Sequence, residues 1–512
     1  MAGDHGNRRE RRRGGRARPR PVGDTSQYRD LVNPFEPLRV LTHDQVDSLH
    51  DAALTLLEDL GIRVLLAEAR ELFAAAGTRL DGDMVYIDRE LVAGALEASP
   101  SEVALEARNP ARTVGLGGRS VVFVPVSGPP HVSDTDGGKR PGTLADYDDF
   151  VRLAQAFDVL HILGPSVEPQ DVPTHLRHLH MTSSALTLSD KAPFVYARGR
   201  GQVADAFEMV RIAHGVDSDE FASAARCWTV INTNSPRQLD IPMCLGIIDF
   251  ARAGQVSVIT PFTLAGAMAP VTIAGALTLQ HAEALAGITL AQLATPGAPV
   301  VYGAFTSNVD MRSGAPAFGT PEYFKASVAA GQLARHLGLP WRSSAPNASN
   351  TPDAQATYEH ATSLWGAISG GANMILHAAG WLEGGLTASK EQLILDVEVL
   401  QTVAESFRPV AVTDDEIGLG AIAEVQPGGH FFGGTHTLER FQTAFYEPLV
   451  SDWSNYGQWT EAGGLDATQR ANAIWKRTLA EFEAPPIDET VAAELAAFVE
   501  RRTREGGAPP ES

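Results

Sequence analysis

The chain has 512 residues, 44% of them hydrophobic and 20% charged, which is typical of a soluble globular protein with a large core. Its net charge of −21 argues against nucleic acid and anionic membranes as partners, because both bind basic surfaces. Cys227 and Cys244 are the only cysteines, so no disulfide framework is expected and a reducing cytoplasm is the predicted location. The most apolar long stretch, residues 271–294, has polar and charged residues in its middle and is too polar to span a membrane.

Both ends of the chain are predicted to be disordered. The first twenty residues contain eight arginines and no apolar block that could pack, which predicts a disordered Arg-rich tail over residues 1–27. Residues 505–512, with Gly-Gly and Pro-Pro pairs, are predicted to form a second loose end.

The N-terminal part, residues 28–158, is predicted to be an α+β region. Thr42-His43-Asp44-Gln45 is a capping-box pattern, and the helix that it begins should end at Leu60, before Gly61. Short helix and strand segments follow, and the glycine-broken apolar stretch 112–126 indicates a hairpin or a small meander. No repeated β–α order is visible in this part.

From His161 onward, apolar strand segments alternate with helices. The predicted strands are His161–Val167, Pro193–Ala197, Cys227–Ile231, Val256–Pro261, Val300–Phe305, Leu339–Ser343 and Asn373–Ala378, with a weaker eighth at Gly429–Phe432. The strands on either side of the helix that begins at Val271 are apolar throughout, which is typical of parallel strands covered on both faces. This pattern predicts an α/β fold with a (β/α)8 TIM barrel over residues 159–450, followed by a C-terminal helical cap over residues 451–504.

No metal site is predicted. His175, His178 and His180 lie on one predicted helix, but only the first pair shares a helical face. A solvated helix face explains this spacing more simply than a metal site does.

Motifs spread along residues 33–501 carry a family resemblance. They include Ile231-Asn232 with Ser235-Pro236, Ala265-Gly266 with Pro270-Val271-Thr272, Asp310-Met311-Arg312-Ser313-Gly314, Asp353-Ala354-Gln355-Ala356, Gly384-Gly385-Leu386 and His436-Thr437. In this order they resemble the trimethylamine methyltransferase family. The resemblance implies a TIM barrel that moves a methyl group from a methylated amine to the reduced cobalt of a corrinoid (cobalamin). That corrinoid is carried by a separate corrinoid-binding protein, so none is bound directly by this chain, and a homo-oligomer is expected.

Side chains near the carboxyl ends of the predicted strands are the candidates for binding a substrate. With the motif residues they give Asn232, Tyr302, Phe305, Arg312, Trp341, Arg342, Asp353, Gln355, His377, Trp381 and Phe432. Aromatic rings suit a quaternary ammonium ion, which ring faces hold with about 0.5–2 kcal/mol each, although any single ring could simply pack the mouth of the barrel. Arg312 or Arg342 could hold the carboxylate of a betaine through two parallel hydrogen bonds.

Two acidic residues each allow two interpretations of their role. Asp353 is either a first-turn residue that complements a helix dipole or a carboxylate of the pocket. Glu283, inside an Ala/Leu helix, either faces solvent or is a buried carboxylate paired with a neighbouring element.

The implied chemistry favours a quaternary amine. Cobalt(I) is itself a strong nucleophile, so no side-chain nucleophile is expected; Asp310 and Glu383 are candidates for accepting the N–H of a protonated tertiary amine. The founding members of the family use pyrrolysine, whereas this sequence has only the twenty standard residues. This difference favours glycine betaine, carnitine or a similar substrate. The alternatives are a trimethylamine or other tertiary amine methyltransferase, and a non-catalytic betaine-binding TIM-barrel protein.

Overall fold

The computed structural model describes residues 28–511, so the predicted Arg-rich tail over residues 1–27 lies outside the described residues. The strands up to residue 158 are β1 Leu31–Val32, β2 Ile62–Val64, β3 Arg79–Asp81, β4 Met84–Tyr86, β5 Val103–Leu105, β6 Val114–Leu116, β7 Ser120–Phe123, β8 His131–Asp134 and β9 Gly138–Pro141. The helices of this part are α1 His43–Thr55, α2 Ala67–Ala75, α3 Arg89–Ala98 and α4 Leu144–Ala156.

The predicted capping box of α1 is confirmed. The Thr42 hydroxyl accepts a hydrogen bond from the Gln45 backbone N–H, and the Gln45 side chain accepts one from the Thr42 N–H. A π-helical turn, Leu56–Leu60, extends the helix, and Gly61 ends it with a φ of 65°. A side chain at Gly61 would meet the Val85 carbonyl oxygen, so the end of the helix depends on glycine.

The middle of the chain alternates strands and helices. Its strands are β10 Trp228–Ile231, β11 Gln238–Leu239, β12 Val256–Ile259, β13 Phe262–Ala265, β14 Val300–Gly303, β15 Phe305–Val309, β16 Pro316–Ala317, β17 Trp341–Ser344, β18 Met374–Leu376, β19 Trp381–Leu382 and β20 Thr387–Ser389. Its helices are α5 Thr174–Leu188, α6 Arg200–His214, α7 Ser218–Ser223, α8 Ile241–Arg252, α9 Ile273–Ala294, α10 Pro321–Leu337, α11 Ala354–Ser369 and α12 Lys390–Ser406.

The central sheet has the strand order β1-β7-β18-β17-β14-β12-β10, and all its neighbours are parallel except the β1–β7 pair at one edge. The register places Val258 beside Val301 and Arg342 beside Met374. Helices contact the sheet through α8, α9, α10 and α11, which gives a mixed α/β fold.

Two predicted strands, His161–Val167 and Pro193–Ala197, are not continuous strands but carry backbone hydrogen bonds beside the sheet. The His161 N–H donates to the Phe123 carbonyl of β7 at 3.0 Å, and the Leu163 N–H donates to the Ala192 carbonyl at 3.0 Å. At the other side, the Val195 N–H donates to the Trp228 carbonyl of β10 at 2.9 Å. These segments therefore lie between the β7 and β10 sides of the sheet.

The weaker eighth strand, predicted at Gly429–Phe432, is wrong. These residues form an exposed loop between the glycines at 428–429 and 433–434, without a strand partner among the described residues. The central sheet instead contains β7, which lies in the stretch predicted to be a hairpin or meander. Its partner β18 follows about 250 residues later, and local glycine spacing gives no information on a pairing at that range.

Side chains alternate between the two faces of the central strands. One face, here called the inner face, packs its side chains together with the hairpin β5–β6; it carries Val122, Trp228, Val256, Val258, Val301, Met374 and Leu376. The opposite, outer face lies under the helices and carries residues such as Ile259, Tyr302 and Trp341. This alternation decides which side chains reach the candidate site.

The smaller sheets connect the regions. The sheet β11-β2-β4-β3 pairs Leu239, from the loop after β10, with Val64 of the N-terminal part. Strands β7 and β11 pair residues before 158 with residues after it, so the two parts share sheets across the predicted boundary at residue 158. The division into domains stays a prediction.

Six helices follow α12 within the described residues, and the last two of them pack on the body of the molecule. They are α13 Asp414–Ile417, α14 Leu419–Glu424, α15 Thr435–Arg440, α16 Tyr456–Glu461, α17 Ala467–Ala480 and α18 Glu489–Arg504. Helix α17 contacts α12 and α4, and α18 contacts α5 and α6.

Residues 505–511, which we predicted to be disordered, are instead held against the molecule. The Ala508 N–H donates to the His175 carbonyl at 2.9 Å, and the Glu511 N–H donates to the Arg198 carbonyl at 3.0 Å. Gly507, with a φ of 61°, passes so close to His175 that a side chain would overlap its carbonyl oxygen. The glycines that suggested looseness therefore permit a tight approach.

Two further features concern metals and membranes. His178 is buried and its Nε2 lies 2.9 Å from the Asp205 carboxylate, and no cluster of three or more His, Cys, Asp or Glu residues within 28–511 could hold a metal ion. Within the same range, none of the helices combines the length and apolarity needed to cross a membrane.

Candidate functional site

Arg342 occupies the inner face of β17 and has no charged partner within residues 28–511. Its side chain is 2% exposed, and its Nε and Nη1 have no hydrogen-bond partner among residues 28–511. Burial lowers the pKa of the guanidinium to about 10, so Arg342 remains protonated at neutral pH. A buried, unpaired cation is costly in a folded protein, and its retention points to an anionic ligand.

Aromatic rings surround this guanidinium. The Arg342 Cζ lies 5.3 Å from the ring centre of Phe305, at the beginning of β15. The Phe305 ring stacks on Phe318 with centroids 5.3 Å apart and contacts His377 at 5.2 Å and Trp381 at 6.4 Å. We call Phe305, Phe318, His377 and Trp381 the ring cluster.

His377 and Trp381 follow the carboxyl end of β18. Their ring centres are 3.8 Å apart, and His377 has a φ of 56°, in the left-handed region. Burial, with a smaller contribution from Arg342, keeps the pKa of His377 well below its ordinary value, so its imidazole is neutral. His377 Nδ1 and Trp381 Nε1 are buried and have no partner among the described residues. The cluster thus pairs ring faces with polar atoms still free to bind a ligand.

The loop that leads into β19 and Trp381 is held by a buried carboxylate, Asp396 of α12. One oxygen accepts from the Gly380 N–H at 2.9 Å, and the other accepts from Gln392 Nε2 at 2.7 Å. Burial raises the pKa of Asp396 well above its ordinary value. Asn347 also donates its side-chain N–H to the Trp381 carbonyl at 2.5 Å, so the loop is fixed from two sides.

Glu283 of α9 holds the loop that follows β10. It is fully buried and accepts hydrogen bonds from the Thr233 hydroxyl at 2.5 Å, the Ser235 hydroxyl at 2.6 Å and the Arg237 N–H at 2.7 Å. Burial raises the pKa of this carboxyl. The open alternative is thereby decided in favour of a buried carboxylate. Asn232, a predicted binding residue, is exposed directly after β10 in the loop that Glu283 fixes.

Tyr302 and Trp341, predicted as binding residues, lie on the outer face. The Tyr302 hydroxyl lies 2.8 Å from His281 Nδ1 and accepts from Gln280 Nε2 at 3.0 Å, both on α9. The Trp341 indole packs where side chains at Gly331 and Gly370 would overlap it. Strand alternation explains this position, because the neighbouring Gly303 and Arg342 have the inward orientation. A binding role for Tyr302 and Trp341 stays a prediction.

Arg312 and Asp310, two other candidates, lie in an exposed turn after β15. The Asp310 carboxylate accepts from the Ser313 hydroxyl at 2.6 Å and from the Arg312 and Ser313 backbone N–H groups. The Ser313 hydroxyl, followed by these N–H groups, lowers the pKa of Asp310. Of the two arginines considered for a carboxylate, only Arg342 lies beside the ring cluster.

Asp353 and Gln355 belong to the beginning of α11. Asp353 is its N-cap, accepting from the Ala356 N–H at 3.0 Å and the Ser349 hydroxyl at 3.1 Å, which fits the plainer alternative. Gln355 is exposed and donates to the Glu359 carboxylate at 2.8 Å. Neither residue is seen in contact with the ring cluster.

Glu383 and Phe432 are also engaged elsewhere. Glu383 accepts from Lys139 Nζ at 2.5 Å and from the Thr387 hydroxyl at 2.6 Å. Its partial burial would raise the pKa of the carboxyl, but Lys139 and Thr387 outweigh it and the pKa is lowered. Phe432 is 83% exposed in the loop that was predicted to be a strand, and its ring contact is with His430 of that loop.

Sequence reasoning missed Phe318 and Asp396. Phe318 lies in a loop, where no periodicity marks an inward-facing ring. For Asp396 a signal existed, because it is an acid within the apolar run Leu393, Ile394 and Val397 of a helix, and a charge on such a face needs a buried partner.

Comparisons with known proteins agree with the resemblance noted in the sequence. The family model described as trimethylamine methyltransferase (MTTB) matches residues 6–507. The chain is 38% identical over 470 residues to the glycine betaine methyltransferase of Desulfitobacterium hafniense strain Y51, covering 91% of this chain and 98% of that protein. It is 30% identical to the trimethylamine methyltransferase MttB of Desulfitobacterium hafniense strain DCB-2, covering 91% of this chain and 94% of that protein.

A solved structure, the monomethylamine methyltransferase of Methanosarcina barkeri, is similar at 9% identity and a TM-score of 0.49, covering 91% of this chain and 88% of that one. The sequence matches extend over nearly the whole chain. This chain is therefore a methyltransferase and belongs to the trimethylamine methyltransferase (MTTB) family.

Proposed function

We propose that this chain transfers a methyl group from a small quaternary amine with a carboxylate to the Co(I) of a corrinoid carried by a separate protein. Glycine betaine, carnitine and similar betaines are the substrate class. The observation that carries the proposal is the buried, unpaired Arg342 beside the ring cluster. The similarity to a glycine betaine methyltransferase at 38% identity supports it.

Arg342 and the rings divide the recognition of such a substrate between them. The guanidinium would hold the carboxylate through two parallel hydrogen bonds, which a buried arginine forms at a fixed angle. Phe305 and Trp381 would hold the ammonium by their ring faces, since a quaternary nitrogen has no N–H to donate. The two charges of a betaine are separated by a short linker, which matches a guanidinium lying 5.3 Å from the Phe305 ring centre.

The reaction then requires the side chains only to position the substrate and to exclude water. Both electrons of the new cobalt–carbon bond come from Co(I), and the electron pair of the broken carbon–nitrogen bond stays on nitrogen. The amine leaves neutral, so no proton is moved. The chain would contribute by orienting the methyl group toward the cobalt and by excluding water from the buried cluster.

Trimethylamine is the less favoured substrate. A tertiary amine can leave only after protonation or capture, which calls for an acid or a carboxylate near its nitrogen. The candidates for that role are engaged elsewhere: Asp310 in an exposed turn and Glu383 with Lys139. Trimethylamine also lacks the carboxylate that would neutralise Arg342.

We also propose that the central sheet closes into the (β/α)8 barrel expected from the sequence. The hydrogen bonds of His161 with Phe123, of Leu163 with Ala192 and of Val195 with Trp228 support this closure. In such a barrel Arg342 and the ring cluster would lie at the carboxyl-terminal mouth, where catalytic residues of this architecture are found.

The test is methylation of added cob(I)alamin, followed by its visible spectrum, with glycine betaine, carnitine, choline and trimethylamine side by side. We expect the two betaines to be demethylated once and faster than choline, and trimethylamine to be poorest. Trimethylamine as the best substrate would overturn the proposal. Binding of glycine betaine without any methylation, by the free corrinoid or by a corrinoid protein, would favour a betaine-binding protein instead.

A further inference from the structure

Two short loops support the two ends of the proposed betaine site. Residues 345–349 follow β17, the strand that carries Arg342, and residues 377–380 follow β18 and lead to Trp381. We call these segments the β17 loop and the β18 loop. Because β17 and β18 pair in parallel, both loops leave the same end of the sheet and lie side by side.

A buried histidine of α11 contacts the β17 loop. His360 is fully buried, and its Nδ1 lies 3.1 Å from the Ala345 carbonyl oxygen. The same nitrogen lies 3.4 Å from Oδ1 of Asp396 on α12. A carbonyl oxygen only accepts hydrogen bonds, so Nδ1 carries the hydrogen and His360 is the donor. His360 therefore connects the β17 loop to Asp396.

Asp396 continues this connection to the β18 loop. Its Oδ2 accepts a hydrogen bond from the Gly380 N–H at 2.9 Å. The contacts from Ala345 through His360 and Asp396 to Gly380 thus join the two loops through two buried side chains, one on each of two helices. Breaking such a connection leaves buried polar groups without partners, so it holds the loops in one arrangement.

The loops are joined a second time, farther along the chain. The Asn347 side chain donates to the Trp381 carbonyl at 2.5 Å, and the Glu383 N–H donates to the Ser349 carbonyl at 2.7 Å. These bonds lie near Trp381, whereas His360 and Asp396 act where the two loops begin. Two connections at different places fix the orientation of one loop relative to the other as well as their distance.

We propose that His360 and Asp396 are a positioning pair that sets the distance between the carboxylate-binding and ammonium-binding ends of the site, and so selects the linker length of a betaine substrate. The inference rests on the proposed function, because it takes Arg342 as the partner of the carboxylate and Trp381 as a partner of the ammonium. Both members of the pair are buried on helices and act through the loops.

Linker length is the property that this pair controls, because a betaine must reach both ends of the site at once. Glycine betaine and 4-trimethylammoniobutanoate have the same charged groups, but the second has the longer linker. A site held at one separation places the methyl group well for only one of them. A site whose loops move apart independently accepts both more evenly.

The first experiment compares kcat/KM for these two betaines in the cob(I)alamin assay. The wild-type protein should prefer one linker length. His360→Leu removes the donor and should reduce this preference roughly 2- to 12-fold, the effect of losing one hydrogen bond. His360→Asn keeps an N–H donor near the position of Nδ1 and should restore most of the preference.

The second experiment is hydrogen exchange without substrate, followed by mass spectrometry of the peptide that covers residues 377–382. In His360→Leu this peptide should exchange faster, although the substitution lies on α11 and not on the β18 loop. Leu364→Ala, at a fully buried apolar residue of the same helix, is the control for a loss of stability. It should lower the Tm but leave the exchange of this peptide and the linker preference unchanged.

The two measurements separate this inference from the proposed function. Unchanged exchange over residues 377–382 in a folded His360→Leu protein would overturn the positioning pair. So would an unchanged linker preference in that variant, or a wild-type protein with equal kcat/KM for both betaines. Faster exchange without methyl transfer from any betaine would overturn the proposed function and the linker selection based on it, while the connection between the loops would stand.

Discussion

The guanidinium of Arg342 lies 5.3 Å from the ring centre of Phe305, and both groups are buried where no carboxylate of the described chain neutralises the charge. An arrangement of this kind costs stability unless a ligand completes it. A betaine would complete the arrangement as a single small molecule, because its carboxylate would neutralise Arg342 and its methylated ammonium would face the rings. This relationship connects the fold, through the inward orientation of β17 residues, to the substrate class.

Replacement of Trp381 by alanine should weaken a quaternary ammonium ligand selectively. The suitable pair is glycine betaine and 3,3-dimethylbutanoate, which has the same shape and carboxylate but a neutral tert-butyl group. Loss of one ring face removes about 0.5–2 kcal/mol of cation binding, or roughly 2- to 30-fold in Kd, beyond any loss of packing. Isothermal titration calorimetry of both ligands measures the difference.

Trp365→Ala is the matched control for this change. Trp365 lies on α11, contacts Phe35 and is not part of the ring cluster, so its loss should leave both affinities unchanged. Equal weakening of glycine betaine and its neutral analogue by Trp381→Ala would show that Trp381 only packs.

Glu283→Ala should destabilise the fold more than Glu283→Gln. Alanine leaves two hydroxyls and the Arg237 N–H without their acceptor in a buried place, at about 1–3 kcal/mol for each group left unsatisfied. Glutamine keeps one acceptor oxygen, and the hydroxyls of Thr233 and Ser235 can rotate to accept from its amide. Urea unfolding compares the free energies of unfolding, and equal losses for the two variants would contradict the role given to the hydrogen bonds.

Asp396 should make the stability of the protein depend on pH. Burial raises the pKa of Asp396 in the folded state, so the folded protein holds this proton more tightly than the unfolded chain does. The resulting stability is fully present below the carboxyl pKa of the unfolded chain, about 3.9, and is lost as pH rises through the raised pKa of the folded state. Asp396→Asn does not titrate, so the difference between the two proteins isolates this effect.

The measurement is the free energy of unfolding of the wild-type protein minus that of Asp396→Asn from pH 4 to pH 9. The difference should shift in favour of the variant as pH rises. The asparagine can still accept from the Gly380 N–H, and its amide can donate to Gln392 Oε1, which has no partner among the described residues. Asp396→Leu, which leaves the Gly380 N–H unpaired, is the destabilised reference. A difference independent of pH would mean that Asp396 has an ordinary pKa.

The sequence predicted the parts of the fold that are encoded locally. The apolar runs at Val256 and Val300 form parallel strands β12 and β14 in the register of a β–α–β unit, and the capping box of α1 is present. Strand β7 was not predicted as part of the central sheet, because its partner β18 lies about half the chain length away and no local pattern reports such a pairing. The C-terminal Gly-Gly pair suggested disorder, but glycine is also the residue that permits a close approach between two backbones. The sequence alone does not distinguish these two uses of glycine.

The candidate site was predictable to the extent that it follows strand ends. Phe305, Arg342, His377 and Trp381 were identified by their positions and are brought together by the fold. Tyr302 and Trp341 lie on the outer face, because consecutive strand residues point to opposite faces of a sheet and the sequence alone does not show which of two neighbours points inward. The buried acids Glu283 and Asp396 act on loops that are distant in sequence, so only the structure identifies what they hold.

The central claim is that Arg342 binds the carboxylate of a betaine. The most direct test compares the KM for glycine betaine of Arg342→Ala, Arg342→Lys and the exposed control Arg312→Ala in the cob(I)alamin assay, with choline as the substrate that has no carboxylate. We predict that Arg342→Ala raises the KM for glycine betaine roughly 10- to 150-fold, corresponding to about 1.5–3 kcal/mol for a charged hydrogen-bonded contact. Arg342→Lys should recover part of this loss, Arg312→Ala should have little effect, and the low activity with choline should not fall. An unchanged KM for glycine betaine in a folded Arg342→Ala protein would contradict the account, as would an equal loss for choline.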